Sequence, residues 1–331
     1  MVNQKALQLS VRVETWPIAG HFTISRGAKT EARVVVAELS DGEVRGRGEC
    51  VPYARYGESV DAVAATLQNL AQNVADGLTH KDVQSALPAG AARNALDCAF
   101  WDLDAKRRRT PVHKLAGLPA PGPLTTAFTI SLGSPEAMAK AAKEASARPL
   151  LKIKLGGEGD ADRIKAIRAA VPQTELIVDA NEGWTPDNLA ANLAVCAQAG
   201  VTLVEQPLHA DADDALAKIQ RQVPVCADES AHDSMSLKKL FGKYDAVNIK
   251  LDKAGGLTEA LMMMRDAQQL GLMTMTGCMV ATSLSMAPAI LVAQNANFVD
   301  LDGPLLLARD RDHGLRYEGS RVYPPTAELW G

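Results

Sequence analysis

A chain of 331 residues, 47% hydrophobic and 22% charged, can bury a full core and is long enough for one large domain with a smaller one beside it. Its formal net charge of −4, with Lys and Arg scattered along the chain, leaves no basic surface for nucleic acid or anionic lipid, and no apolar stretch approaches the roughly 20 residues that cross a membrane. Five cysteines (Cys50, Cys98, Cys196, Cys226, Cys278) form no CxxC and are odd in number, which argues against a disulfide frame and a structural zinc site.

The N-terminal MVNQKALQLSVRVETW alternates like a strand and lacks the apolar centre of a signal peptide, so the cytoplasm is the expected compartment. LQLSVRV, HFTISRG and EARVVVAEL read as strands, and the turn Ser40-Asp41-Gly42 leads into EVRGRGE, giving an antiparallel sheet. Helical patterning follows. Ser59 can cap DAVAATLQNLAQNV, and Ala89 to Lys106 places Ala92, Leu96, Ala99, Phe100 and Leu103 on one face. The basic run Lys106 to Arg109 reads as the solvated end of that helix. A sheet followed by helices makes a small α+β domain over residues 1–120, closed by the Pro- and Gly-rich GLPAPGPL.

Over residues 121–313 eight short apolar runs alternate with amphipathic stretches: TTAFTISLG, LLKIKLGG, ELIVDAN, VTLVEQP, VPVCADE, AVNIKLD, LMTMTGCM and NFVDLDGP. Eight strand and helix alternations point to a parallel barrel; an open doubly wound sheet is the rival, because alternation alone does not show closure. Thr185 before Pro186 marks a helix start, and Gly200 and Gly271 mark helix ends. LGGEGD and KAGG fit no phosphate-binding pattern and read as tight loops. No GxSxG elbow is present, and none of the six histidines pairs at metal spacing; His21 and His113 read as structural or exposed. Residues 314–331 have too little periodicity to place, and a return to the first domain is expected.

Charged residues close the second to sixth runs: Lys152-x-Lys154, Asp179, Glu205, Asp228 and Lys250, roughly 22 to 26 positions apart. In a barrel such residues meet at the mouth. Three carboxylates on successive strands, with no His or Cys among them, suit a hard cation, Mg²⁺ first and Mn²⁺ second. A strand-end Asp also caps helices, a reading open to each of them singly. Lys154 on the second strand and Lys250 on the sixth would face each other across the mouth. Two amines on opposite sides of a metal-bound carboxylate suit removal of an α-proton from one face and its return to the other. Such a base needs a depressed pKa, which Lys152 and the metal would supply.

In combination KxK, DAN, EQP, ADES and NIKLDKAGG resemble the enolase superfamily, in its muconate-lactonizing subgroup, and over nearly the whole chain. ISRGAKTEARVVV, GECVPYARYGES, PAGAARNALDCAFWDL and FVDLDGP narrow the resemblance to its dipeptide epimerases. The resemblance implies an α/β fold: a modified TIM barrel, (β/α)7β, with an N-terminal α+β capping domain and a C-terminal tail returning to the cap. It implies one Mg²⁺ on Asp179, Glu205 and Asp228, acid/base work by Lys154 and Lys250, and Lys152 near the substrate carboxylate. Asp300 and Asp302 would hold the substrate α-ammonium, Thr129 and Cys278 would line the dipeptide site, and Arg26 would meet a distal acidic side chain. The implied reaction interconverts L-Ala-L-Glu and L-Ala-D-Glu in murein peptide recycling. Alternatives are another dipeptide or an N-acyl amino acid, the syn-elimination of o-succinylbenzoate synthase, or a non-catalytic barrel that binds a metal or peptide. The expected partner is a small dipeptide, with a homo-oligomer compatible with the sequence.

Overall fold

The computed structural model describes residues 6–331; residues 1–5, the start of the segment read as an N-terminal strand, lie outside the described residues. Three antiparallel strands, Gln8–Ile24, Gly27–Ser40 and Arg45–Cys50, form the first sheet. The two runs expected as separate strands before Arg26 are one bent strand, whose register shifts between Pro17 and Phe22, with Gly20 at a φ of 86° in between. Asp41 makes the next turn, its Oδ1 accepting the N–H groups of Glu43 and Val44.

The helix after this sheet starts where expected, with Ser59 Oγ accepting the N–H of Ala62. The long helix Ala91–Arg108 is buried over more than the single face read from its periodicity. Leu96, Ala99 and Leu103 pack on the cap sheet, and Gly46 and Gly48 permit the approach, since a Cβ at either would meet the backbone of Ala95 or Ala99. Its other side meets the barrel: Trp101 Nε1 donates to Thr258 Oγ1, and Arg93 donates to the carbonyls of Ala254 and Gly255. The chain end packs there too, with Trp330 Nε1 donating to the Cys98 carbonyl and Arg47 to those of Glu328 and Leu329.

Eight parallel strands follow in one sheet, Phe128–Ile130, Leu150–Lys154, Glu175–Asp179, Val201–Glu205, Val225–Ala227, Ala246–Ile249, Met273–Gly277 and Phe298–Asp300, each beside the next. The first and eighth are joined by Ala127 N–H to the Val299 carbonyl, 2.8 Å, and by Leu301 N–H to Thr126 Oγ1, 2.8 Å, so the sheet curls into a barrel rather than lying open. The period of two sorts its residues. Leu151 and Ile153 pack outward under the helices, whereas Leu150, Ile177, Leu203, Cys226, Ala246 and Met275 form a separate apolar cluster, the floor of the barrel. Residues two and four positions further along the same inward rows, Lys152, Lys154, Asp179, Glu205, Asp228 and Lys250, stand above that floor. The units are not uniform: after the fourth and fifth strands the connections contain 3₁₀ turns, Ala210–Ala212, Asp214–Lys218 and Ser234–Lys239, in place of α-helices. Among the described residues no helix is long and apolar enough to cross a membrane.

Candidate active site

Strand register brings the three acids together. Lys154 pairs with Asp179, Asp179 with Glu205 and Glu205 with Cys226, two residues before Asp228. All three carboxylates are buried, and one oxygen from each lies within 4.8 Å of the others. One oxygen of each is anchored by a neighbouring N–H group. Asp179 Oδ1 accepts from Asn181 N–H at 2.9 Å, Glu205 Oε1 from Asn248 Nδ2 at 2.7 Å, and Asp228 Oδ1 from Lys253 Nζ at 2.6 Å. Glu205 Oε2 stands 2.6 Å from Lys152 Nζ but outside hydrogen-bond geometry, so it is a buried oxygen without a donor. A buried trio of oxygen donors, one of them unsatisfied, fits a hard divalent cation.

The three lysines surround this trio. Lys154 Nζ donates to Asp179 Oδ2 at 2.6 Å, and Lys250 Nζ to Asp228 Oδ2 at 2.8 Å. Lys152 lies between Asp179, Glu205 and Asp300, at 3.4, 2.6 and 2.8 Å. The electrostatics among side chains alone differ from the sequence expectation. Burial and Lys152 do push the Lys250 ammonium down, but Asp228 and Glu205 outweigh them and hold it above its usual value. Lys152 follows the same pattern, burial opposed by Asp300, Glu205 and Asp179. Among the acids, burial alone would raise Asp179, yet Lys154 and Lys152 bring it to about 2; Glu205, pushed up by burial and by Asp179, is the carboxylate least supported by the protein.

Above the trio opens a cavity of about 740 Å³ between barrel and cap. Lys154, Asp228 and Lys250 line its base; Thr129, Cys278, Asp300 and Asp302 line one wall; Arg26 reaches it from the cap. Lys152, Asp179 and Glu205 lie beneath. Asp302 Oδ2 accepts the Thr129 N–H at 2.7 Å, and burial together with Asp300 pushes its carboxyl up to about 7. Asp300 Oδ2 accepts from Lys152 Nζ, and Oδ1 is buried without a partner. Burial raises the Cys278 thiol well above its usual value, so it lines the wall as a thiol.

Arg26 is held at the rim by groups of both domains. Its Nε and Nη2 donate to Tyr53 Oη, Nη2 also to Glu229 Oε1 at 2.6 Å, and Nη1 to the Asn181 carbonyl and Glu182 Oε2. A guanidinium has five N–H groups, and here each has a partner in the protein. Glu182 also receives Arg55, at 2.7 and 2.8 Å, and the Ala210 N–H. It follows Asn181, and both carry positive φ, 64° and 45°, in the loop directly after Asp179.

Sequence reasoning passed over Asn248, Lys253, Glu182 and Glu229. Asn248 was within reach, since it stands two residues before Lys250 on the same inward row, as Lys152 does before Lys154. Of the glycine-rich pieces LGGEGD is a loop, in which Asp160 accepts the N–H groups of Gly156 and Gly157, where a phosphate would have to sit; KAGG, expected as a loop, instead ends the short helix Leu251–Ala254, with Gly255 in the left-handed conformation as its cap.

A barrel with acids on its third, fourth and fifth strands, lysines on the second and sixth, and a cap over its mouth defines a class. The chain belongs to the mandelate racemase and muconate lactonizing enzyme family of the enolase superfamily, matching the N-terminal domain model of that family over residues 6–117 and the enolase C-terminal domain-like model over 136–328. Among its relatives it is 46% identical to the L-Ala-D/L-Glu epimerase of Escherichia coli (strain K12), over 94% of this chain and 97% of that one. It is 42% identical to the N-acetyl-D-glutamate racemase of a Pseudoalteromonas species, over 90% and 95%. Among solved structures, an enolase family member from Agrobacterium tumefaciens with homology to dipeptide epimerases, holding sodium and L-Ala-L-Glu, superposes with a TM-score of 0.96 at 52% identity, over 98% of this chain and 100% of that one. A dipeptide epimerase from Enterococcus faecalis, complexed with Mg and L-Leu-L-Tyr, superposes with a TM-score of 0.90 at 29% identity, over 98% of both.

Proposed function

We propose that the chain is a Mg²⁺-dependent dipeptide epimerase that inverts the α-carbon of the second residue of L-Ala-L-Glu and L-Ala-D-Glu. The observation that carries this reading is the placement of Lys154 and Lys250 on opposite sides of the buried acids, at the base of a cavity whose wall holds Asp300 and Asp302. Asp179, Glu205 and Asp228 would hold the ion. Bound there, Mg²⁺ would supply positive charge that stabilises the negative charge developing on the substrate carboxylate.

The chain's own groups do the rest. One lysine, as the free amine, takes the α-proton, and the other, as ammonium, delivers a proton to the opposite face; reversal exchanges their roles. Lys152 contributes a fixed positive charge beside the substrate carboxylate. Asp300 and Asp302 would receive the α-ammonium: two neighbouring buried acids, one with an unpartnered oxygen and one pushed up to about 7, gain from a cation between them. This favours a free amine over an N-acyl group, the second reading supported by the relation to the N-acetyl-D-glutamate racemase. Thr129 fixes Asp302, and Cys278 shapes the wall. The cap as a unit over residues 1–120, the barrel over 121–313 and the tail 314–331 divide the work into cover, chemistry and clasp. With this substrate the chain's place is murein peptide recycling in the cytoplasm.

The test is direct. With Mg²⁺ in D₂O, L-Ala-L-Glu is expected to gain deuterium at the glutamyl α-carbon and to convert to L-Ala-D-Glu, followed by proton NMR; intact protein that does neither would remove this reading.

A further inference from the structure

Among the described residues Asp179 and Asp228 each accept a hydrogen bond from a lysine and from a second donor, whereas the Glu205 side chain accepts one in all, from Asn248 Nδ2 to Oε1 at 2.7 Å. That donor reaches it from the sixth strand, past the fifth, and is itself buried. Asn248 gains little else there. Its Oδ1 is buried without a partner, and a buried amide with half its hydrogen bonds unmade is a cost to the fold. Its backbone is pinned, since the Asn248 carbonyl accepts from Lys253 Nζ at 3.0 Å, the same ammonium that holds Asp228 Oδ1. The seventh strand leaves the amide its room. A Cβ at Gly277 would lie 2.5 Å from Asn248 Oδ1 and 2.7 Å from Nδ2, so any side chain there would drive the amide off Glu205. The backbone of Gly277, in parallel register with Asp300 and without a positive φ, has no other need of glycine. Neither Asn248 nor Gly277 lines the cavity, so both act through Glu205.

Resting on the metal-site part of the reading above, we propose that Asn248 is a positioning residue for Mg²⁺, one that holds Glu205 by Oε1 and leaves Oε2 for the ion, and that Gly277 is glycine to give this amide its place. A carboxylate held by a single hydrogen bond turns freely once that bond is lost. The acid oxygens that now lie within 4.8 Å of one another would then no longer converge. The fourth strand carries the ligand, the sixth aims it and the seventh makes the space.

The experiment titrates Mg²⁺ into the metal-free protein by calorimetry and follows the Mg²⁺ dependence of L-Ala-L-Glu turnover by NMR, for the wild type, N248L, N248A, G277A and the N248A/G277A double variant. N248L keeps the shape of the amide and loses the donor. Its Mg²⁺ dissociation constant is expected to rise about tenfold to a hundredfold, and the turnover lost at low Mg²⁺ to be partly regained as Mg²⁺ is raised. G277A is expected to weaken Mg²⁺ in the same way although it removes no polar group. N248A clears the space, so adding G277A to it should cost no more than about twofold further, a coupling that two unrelated packing defects would not give. Mg²⁺ binding in N248L within about twofold of wild type overturns the proposal, as does full additivity of N248A and G277A. A wild type that binds Mg²⁺ with this dependence on Asn248 yet epimerises nothing overturns the epimerase reading and leaves this one standing. Epimerisation that persists in N248L with an unchanged demand for Mg²⁺ does the reverse, and a wild type that binds no Mg²⁺ removes both.

Discussion

The barrel mouth and the cap rim both gather charged groups but are built by opposite means. At the mouth Lys154, Asp179 and Glu205 are neighbours through strand register, each fixed by an inward row of its own strand. At the rim Arg26 meets Glu182 and Glu229 across 156 and 203 residues of sequence, from loops of both domains. A rigid ring therefore presents the groups suited to proton transfer, while contacts between loops join the cap to the barrel.

The largest expected effect lies at the ring. Glu205→Gln keeps the shape but removes the charge least supported by the protein, so Mg²⁺ affinity by calorimetry and turnover should each fall by about a thousandfold, equal to several kcal/mol. Chelation of the wild type should abolish turnover reversibly. Retained Mg²⁺ binding in Glu205→Gln would break the contrast, since the ring would then not be the metal site. At the rim the effect should be smaller and of another kind. Glu182→Gln weakens two arginine contacts at once, and KM for every dipeptide is expected to rise about tenfold or more with kcat less affected, as loss of a charged hydrogen bond of about 1.5–3 kcal/mol implies. A kcat effect as large as at the ring would mean that the rim takes part in the chemistry.

A site remote from both should move stability alone. His80 Nε2 lies 3.0 Å from Asp97 Oδ1 on the long cap helix, and its ring stacks on Phe100. Burial lowers its pKa, but Asp104 and Asp97 outweigh this and raise it from 6.5 to about 9. A raised imidazolium stabilises the fold fully below its unfolded value, and that contribution is lost as pH rises from about 6.5 through 9. Of the order of 1–3 kcal/mol should disappear over this window, and His80→Ala should flatten the fall in Tm between pH 6 and pH 9 without changing the dipeptide preference.

The same contrast decides what could be read from the sequence. Asp179, Glu205 and Asp228 announced themselves because each ends a short apolar run one βα unit after the last, and the strand count placed Lys154 and Lys250 apart. The bent first strand and the 3₁₀ connections were not legible: HADADDALAKIQRQ has no apolar stripe, and its Asp213 is drawn to Ser230, Tyr244 and Lys243, partners that only the fold supplies. The two-sided burial of the long cap helix depends on the barrel behind it. The pairing of Arg26 with Glu182 and Glu229 was not legible, because a loop arginine carries no local mark of its partners.

The opposition of two lysines across the acids is tested most directly by removing them one at a time and following each epimer in D₂O with Mg²⁺. Lys154→Ala and Lys250→Ala should both fail to interconvert L-Ala-L-Glu and L-Ala-D-Glu, while each retains α-proton exchange with only one epimer, a different one in each variant. Epimerisation by either variant, or exchange of the same epimer by both, would contradict the assignment of one lysine to each face.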